Sequence, residues 1–131
     1  MVSDTVGDFI IQIKNAGMVK KSEIVVPYSK LKHAIANLLV QEGYVTSVAV
    51  TGEGVSKELH VTLLYSNEGV HRINDVKRVS KPGRRLYAKA QDLYPIKFGK
   101  GRLVMSTPKG IITSETARKQ NVGGEQLFMI W

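Results

Sequence analysis

Ser106-Thr107-Pro108-Lys109 is the stretch of this sequence nearest to an enzyme motif. A Ser three residues before a Lys is the nucleophile arrangement of penicillin-recognising serine enzymes. It works there because the Lys lies one helical turn from the Ser, on the same face. Pro108 and Gly110 predict instead a turn after a strand, which breaks that geometry. The companion Ser-Asp-Asn and Lys-Thr-Gly motifs are absent, so a small Ser–Lys hydrolase is the remote alternative. His33, His60 and His71 are far apart, with no His-x-x-x-His or Glu-paired spacing, and read as surface or structural histidines. Asp4 and Asp8 are an i, i+4 pair in a first helical turn, where carboxylates serve the helix dipole. Cys is absent, which excludes thiolate metal sites, a cysteine nucleophile and a disulfide scaffold. No phosphate-binding or dinucleotide fingerprint occurs. The expectation is no metal, no cofactor, no small-molecule substrate and no catalysis.

Residues suited to nucleic acid are better grouped. Arg78-Val79-Ser80-Lys81-Pro82-Gly83-Arg84-Arg85-Leu86-Tyr87 combines cations, a Pro-Gly turn and an aromatic. Pro followed by Gly favours a type II turn, which would present Lys81, Arg84 and Arg85 from a rigid support. Cations contact phosphates, and Tyr87 can stack on an unpaired base or ribose. Ser106-Thr107-Pro108-Lys109-Gly110 adds two hydroxyls, a cation and a glycine that permits close backbone approach. Hydroxyls address base edges and 2′-OH groups, which suits structured RNA. Asn121-Val122-Gly123-Gly124-Glu125 offers exposed backbone N–H groups and one acid. A glycine pair also serves simply to turn a helix into a strand.

The charge agrees with an anionic partner. The chain has 131 residues and a formal charge of +8. Residues 1–66 hold six basic residues (Lys14, Lys20, Lys21, Lys30, Lys32, Lys57) and six acidic ones, so residues 67–131 carry the whole excess. The segment Arg72–Arg102 alone has ten basic residues against Asp75 and Asp92. A one-sided basic field concentrates polyanions and speeds their association. With 43% hydrophobic residues the chain can bury a core. No apolar run approaches the roughly 18–20 residues of a membrane span, and Met1-Val2-Ser3-Asp4 lacks the start of a signal peptide. An intracellular, soluble protein is expected.

The elements that must hold these residues follow from periodicity. Val6, Phe9, Ile10 and Ile13 predict a helix over 4–16, capped by Ser3 or Asp4 and stopped by Gly17. A strand is expected over Glu23–Val26, ended by Pro27. Ser29 then caps a helix over Lys30–Glu42, with Leu31, Ala34, Ile35, Leu38 and Leu39 on its inner face and Gly43 as terminator. Tyr44–Thr51 alternates through Tyr44, Thr46, Val48 and Val50, and Glu58–Tyr65 through Leu59, Val61 and Leu63. Gly52-Glu53-Gly54 predicts a hairpin between them. The second half is glycine-dense (83, 99, 101, 110, 123 and 124), with strands expected at Val70–Val79, Arg84–Ala88, Leu103–Ser106, Gly110–Ile112 and Gln126–Trp131. Ser114–Gln120, capped by Thr113 or Ser114, is its one helix. The fold class is α+β: an N-terminal α-β-α-β-β two-layer unit over 1–66, joined at Tyr65–Gly69 to a smaller, mostly β, basic RNA-binding unit over 67–131. The short joint implies that the two pack together.

These motifs together resemble the family of the eighth protein of the bacterial small ribosomal subunit. Asp8-Phe9-Ile10-Ile11-Gln12-Ile13-Lys14-Asn15-Ala16 is similar to that family's first helix, and Ser29-Lys30-Leu31-Lys32 to the opening of its second. The Arg78–Tyr87 run resembles its central signature. Ser106–Thr113 resembles its Ser-Thr-Ser-Lys-Gly loop, and Ala117-Arg118 with Gly123-Gly124-Glu125 its C-terminal signature. The resemblance covers nearly the whole chain. It implies a cytoplasmic structural constituent of the small subunit that binds the central domain of small-subunit (16S) rRNA early and helps assemble the platform, beside neighbouring small-subunit proteins. It further implies repression of its own operon through an mRNA mimic. Ser106, Thr107, Lys109, Gly110, Gly123, Gly124 and Glu125 become the RNA contacts, supported by Tyr87, Lys81, Arg84, Arg85 and Lys32. Pro108 stands where the family usually has Ser, which removes a hydroxyl and an N–H donor. Gln12 stands where a basic residue is common. A free-standing RNA-binding regulator using the same surface is the nearer alternative.

Overall fold

A computed structural model describes residues 4–93 and 101–131. Ser3 as an alternative cap and Gly99 of the glycine series lie outside the described residues. The chain gathers into two compact units, one of Asp8–Asn74 and the other of Met1–Gly7 with Asp75–Trp131. The element order is α-β-α-β-β followed by a mostly β region with one short helix, as the sequence implies. No helix among the described residues is long and apolar enough to cross a membrane.

The first unit holds helix α1 (Thr5–Met18) from Asp8 onward, strand β1 (Glu23–Pro27), helix α2 (Lys30–Gln41) and strands β2 (Val45–Thr51) and β3 (Glu58–Leu63). β1 and β2 both pair antiparallel with β3. Leu59, Val61 and Leu63 are buried at the expected period of two. β2 departs from simple alternation. Its register shifts between Val45 and Ser47, and Thr46 donates its hydroxyl to the Leu63 carbonyl at 3.0 Å. Tyr44 and Val45 are therefore both buried and Thr46 is exposed, because a bulge reverses which parity faces inward. Ser29 caps α2 by accepting the Lys32 N–H at 3.1 Å. The buried stripe of α2 is Ile35, Ala36, Leu38 and Leu39. Leu31, expected inside, lies one turn ahead of that stripe and is exposed.

Each helix ends in the same hydrogen-bond pattern, built on three different residues. Lys21 N–H reaches Ala16 O and Lys20 N–H reaches Gly17 O at the end of α1. Tyr44 to Leu39 with Gly43 to Val40 closes α2. Val122 to Ala117 with Asn121 to Arg118 closes α3 (Ser114–Lys119). These are Schellman caps, which need one residue in the left-handed region. The residues are Lys20 (φ 57°), Gly43 (φ 80°) and Asn121 (φ 55°). Gly17 is thus not the stop expected for α1. It lies inside the helix because a Cβ there would sit 1.8 Å from Nδ1 of His71, which packs on it. Burial lowers the His71 pKa from the ordinary histidine value. Lys20 makes no hydrogen bond or ion pair through its side chain among the described residues. Replacing it with Gly removes about 1–2 kcal/mol of left-handed strain against a chain-entropy cost of roughly 0.4–1 kcal/mol. Lys20→Gly is expected to raise stability by up to about 1 kcal/mol in urea denaturation.

The second unit is a sheet centred on β8 (Gly124–Ile130). One side of β8 pairs with β6 (Arg102–Thr107), which pairs in turn with β7 (Gly110–Thr113). The other side pairs with β4 (Val76–Arg78) and then β5 (Tyr87–Ala88). The strand expected over Val70–Val79 is only Val76–Arg78. Ser66 and Gly69 explain the difference: the Ser66 hydroxyl accepts the Val70 N–H at 3.1 Å and Gly69 turns at φ 80°. This turn, expected as the joint, lies within the unit that continues to Asn74. One face of the second sheet packs Leu93, Leu103, Met105 and Ala117 together, and Val104, Phe128 and Ile130 are also buried. Thr113 caps α3, accepting the Thr116 N–H at 3.3 Å.

Candidate nucleic-acid interface

The Pro-Gly turn projects from the β4–β5 connection. Lys81 and Arg84 exchange both backbone hydrogen bonds, at 2.9 and 2.8 Å, so Pro82 and Gly83 form a two-residue loop. Gly83 is not among the residues with positive φ, so the turn is not the expected type II. Pro82 fixes its own φ in either type, and Gly83 permits a positive φ without requiring one. Beneath this loop lies Ser80, 0% exposed. Its hydroxyl donates to the Leu86 carbonyl at 3.1 Å and accepts the Leu86 N–H at 2.8 Å. Sequence reasoning assigns Ser80 no role; a small polar residue between a strand and a Pro-Gly turn is its only signal. Ser80→Ala strands the Leu86 N–H, while the Leu86 carbonyl keeps the Gln126 N–H at 2.8 Å, and is expected to cost about 1–3 kcal/mol. Chemical denaturation measures that cost. Amide exchange should show it concentrated at residues 81–86.

The strand register then builds a row that sequence alone does not show. Ser106 of β6 is paired with Glu125 of β8, and Glu125 with Tyr87 of β5. Directly paired residues point to the same face, so hydroxyl, carboxylate and phenol stand side by side on three adjacent strands. Tyr87 is 69% exposed, so its ring is outward and open to stacking. The Glu125 carboxylate accepts from Arg85 at 3.1 Å. Among the described residues the Ser106 hydroxyl has no hydrogen-bond partner. Ser106 lies within strand β6, one residue before its end, and Lys109 occupies a turn, so the helical geometry of a Ser–Lys pair is not formed.

Thr107 and the glycines are held by the fold itself. The Thr107 hydroxyl donates to Gly110 O at 2.9 Å and accepts the Lys109 N–H at 3.2 Å. This consumes its one proton and one lone pair within the β6–β7 turn. Pro108 suits the first loop position, and Gly110, at φ 113°, supplies the conformation that the turn needs. A Cβ on Gly123 would meet Ala88 O at 2.5 Å, and one on Gly124 would meet Ser106 O at 2.2 Å. The glycine pair is therefore what allows β8 to enter between β5 and β6. Close strand approach accounts for the pair without any ligand.

The cations divide into paired and unpaired. Arg78 is 10% exposed in its side chain and ion-pairs with Asp4 at 3.0 Å, while its other nitrogen donates to Leu127 O. Desolvation opposes ionisation of Asp4. The Arg78 hydrogen bonds, the Gly7 N–H and the nearby charges of Arg78 and Arg85 outweigh it and hold the carboxyl below the usual range. Arg85 pairs with Glu125, Arg102 with Glu115 at 3.4 Å, and Arg72 lies over the Tyr44 ring at 4.4 Å. Lys77, Lys81, Arg84, Lys89 and Lys109 have no such partner among the described residues and are exposed. The structure thus brings Lys81, Arg84, Arg85, Tyr87, Ser106, Thr107, Lys109, Gly110, Gly123, Gly124 and Glu125 into one unit. Lys32 lies on α2 in the other. No group of three or more His, Cys, Asp or Glu among the described residues could hold a metal.

Comparison with known proteins decides the family. The family model described as ribosomal protein S8 matches residues 4–131. The chain belongs to the ribosomal protein S8 family. Small ribosomal subunit protein uS8 of Mycoplasmopsis agalactiae is 44% identical, over 99% of this chain and 98% of its own. The uS8 of Mycoplasma mobile is 39% identical over 100% and 98%, and that of Sulfurimonas denitrificans 39% over the whole of both chains. Membership of a ribosomal protein family gives the chain a structural, non-catalytic role. In S8-family terms, the Arg78–Tyr87 signature is half framework, through Arg78 and Ser80, and half exposed surface, through Lys81, Arg84 and Tyr87.

Proposed function

We propose that this S8-family protein is an rRNA-binding structural constituent of the small ribosomal subunit. It binds the central domain of 16S rRNA early, helps assemble the platform beside neighbouring small-subunit proteins, and acts in the cytoplasm. Repression of its own operon would use the same surface on an mRNA that imitates the rRNA site. The observation that carries this reading is the row of Ser106, Glu125 and Tyr87, flanked by Lys81, Arg84 and Lys109. An aromatic, a hydroxyl and a fixed carboxylate address bases and ribose, while unpaired cations address phosphate. The carboxylate adds selectivity, since it repels phosphate yet accepts from exocyclic amines.

Hydroxyl-radical footprinting of the full-length protein on small-subunit rRNA tests the proposal. Protection confined to one irregular helix of the central domain is expected. Ser106→Ala, which removes an uncommitted hydroxyl, should weaken cognate binding about 3- to 10-fold and leave unrelated duplex RNA unaffected. Thr107→Ala should act mainly by loosening the β6–β7 turn. Diffuse protection, or full affinity in Ser106→Ala, would remove the row from the recognition site.

A further inference from the structure

The three-stranded sheet of the first unit ends on β1, and no strand among the described residues pairs with its far side. The Ser22 carbonyl accepts the Leu63 N–H, and the Tyr28 N–H donates to the Lys57 carbonyl. Backbone direction alternates along an antiparallel strand, so Ile24 and Val26 also face β3, while Glu23 and Val25 turn their N–H and C=O groups outward. Pro27, in the same phase, has no N–H to present and closes the open edge at that end. The opposite edge strand, β2, is disturbed by its bulge, which blunts an edge, whereas the β1 register runs unbroken from Glu23 to Pro27. Beside the β1 edge, within the same unit, runs a groove of about 510 Å³. Gln12, Asn15 and Ala16 of α1, with Val19 just past it, form one wall, and β1 from Glu23 to Val25 forms the other. Ile24 is paired with the buried Val61, yet is only partly buried itself because no strand lies beyond it. Val19 is 68% exposed. Lys21 lines the groove, exposed and without an ion-pair partner among the described residues. The Glu23 carboxylate lies 3.8 Å from His60, on the other face of the sheet.

A row of alternating backbone donors and acceptors is complementary to another extended peptide. It matches nucleic acid poorly. The outward carbonyls repel phosphate, no aromatic lines the groove for stacking, and one cation is too few for a run of phosphates. Side chains of an added strand alternate between faces, so every second one would lie over Ile24, Ala16 and Val19, where apolar residues fit. The unpaired Lys21 is complementary to a carboxylate. We propose that the β1 edge and its groove receive an extended segment of a neighbouring small-subunit protein, paired backbone to backbone with Glu23 and Val25, apolar at alternate positions and acidic beside Lys21. This proposal rests on the reading of the chain as a small-subunit constituent. It gives the first unit a protein-binding surface, whereas the row of Ser106, Glu125 and Tyr87 belongs to the second.

The test uses the full chain, which has no Cys, so that Gln12→Cys carries a single photo-crosslinker at the groove. The labelled chain is mixed with 16S rRNA alone and, separately, with 16S rRNA and the purified small-subunit proteins. In the full mixture one other protein is expected to be crosslinked, through a segment that alternates apolar residues and holds an acid. Val25→Pro deletes an outward N–H that no strand of the fold uses, and Lys21→Glu reverses the charge at the groove. Each should lower the crosslink yield about 3- to 10-fold, as expected for one lost hydrogen bond or charge pair, with the rRNA affinity of the chain unchanged. Changing the acid of the crosslinked segment to Lys should restore the yield with Lys21→Glu. Circular dichroism checks that Val25→Pro is folded, and Lys21→Glu, at an exposed side chain, decides the matter if it is not. Crosslinking to rRNA, or between two copies of this chain, gives the groove another occupant and overturns the proposal. Unchanged yield in either folded variant, or no crosslink from subunits that contain the chain, overturns it too. Failure of the chain to enter small subunits at all overturns the broader reading, and this one with it.

Discussion

Raising monovalent salt from about 50 to about 200 mM should weaken rRNA binding by roughly 60- to 1,000-fold. The estimate follows from which cations the fold leaves unpaired. Lys77, Lys81, Arg84, Lys89 and Lys109 have no ion-pair partner among the described residues, whereas Arg78, Arg85 and Arg102 are each bound to a carboxylate. If about four to six cations reach phosphates, slopes of roughly −0.7 to −0.9 per phosphate give about −3 to −5 for log K against log salt. Filter-binding titrations across that range measure the slope. A flat response would abolish the phosphate grip. A slope of about −6 to −7 would mean that the paired arginines leave their carboxylates on binding.

The largest effect expected of one methyl group is at Gly124. A Cβ there would lie 2.2 Å from Ser106 O and 3.0 Å from the Thr107 methyl. β8 is bonded on both sides, so neither neighbouring strand yields without breaking ladder hydrogen bonds. Gly124→Ala should destabilise by about 1–3 kcal/mol or more, and should separate Ser106 from Glu125 enough to lose rRNA binding even under conditions where the protein stays folded. Gly83→Ala is the matching control: nothing lies within 4 Å of its Cβ and its φ is not positive, so stability should be unchanged. Thermal denaturation beside a gel-shift titration reads both. Wild-type stability in Gly124→Ala would show that the strands do not approach so closely.

The elements were legible wherever one physical signal dominated. Ser29 and Thr113 were readable as caps because a hydroxyl ahead of an apolar period satisfies a free N–H. Leu59, Val61 and Leu63 were readable as a half-buried strand because only one face of β3 meets the core. Signals with two causes were not. Gly17 looked like a helix stop, but its missing side chain makes room for His71, and a contact 54 positions away leaves no local mark. Lys20 ends that helix in a conformation its residue type disfavours. The bulge at Thr46 defeats alternation because one extra residue reverses parity without changing composition. At the candidate site, residue types pointed to Tyr87, Ser106 and Glu125 one by one. That they stand in one row is a property of pairing between strands up to 38 residues apart, which no window along the chain contains.

Because that row spans three strands, it cannot exist in a molecule that has folded incorrectly. A slip of one residue between β6 and β8 would turn Glu125 away from Ser106, and a slip between β5 and β8 would turn Tyr87 to the opposite face. Such a chain could keep its helices, its compactness and its positive charge, and it would still attract RNA without gripping it. On the proposed reading, tight binding certifies the sheet: an RNA that holds on only when all three side chains are aligned separates each copy in register from a slipped one.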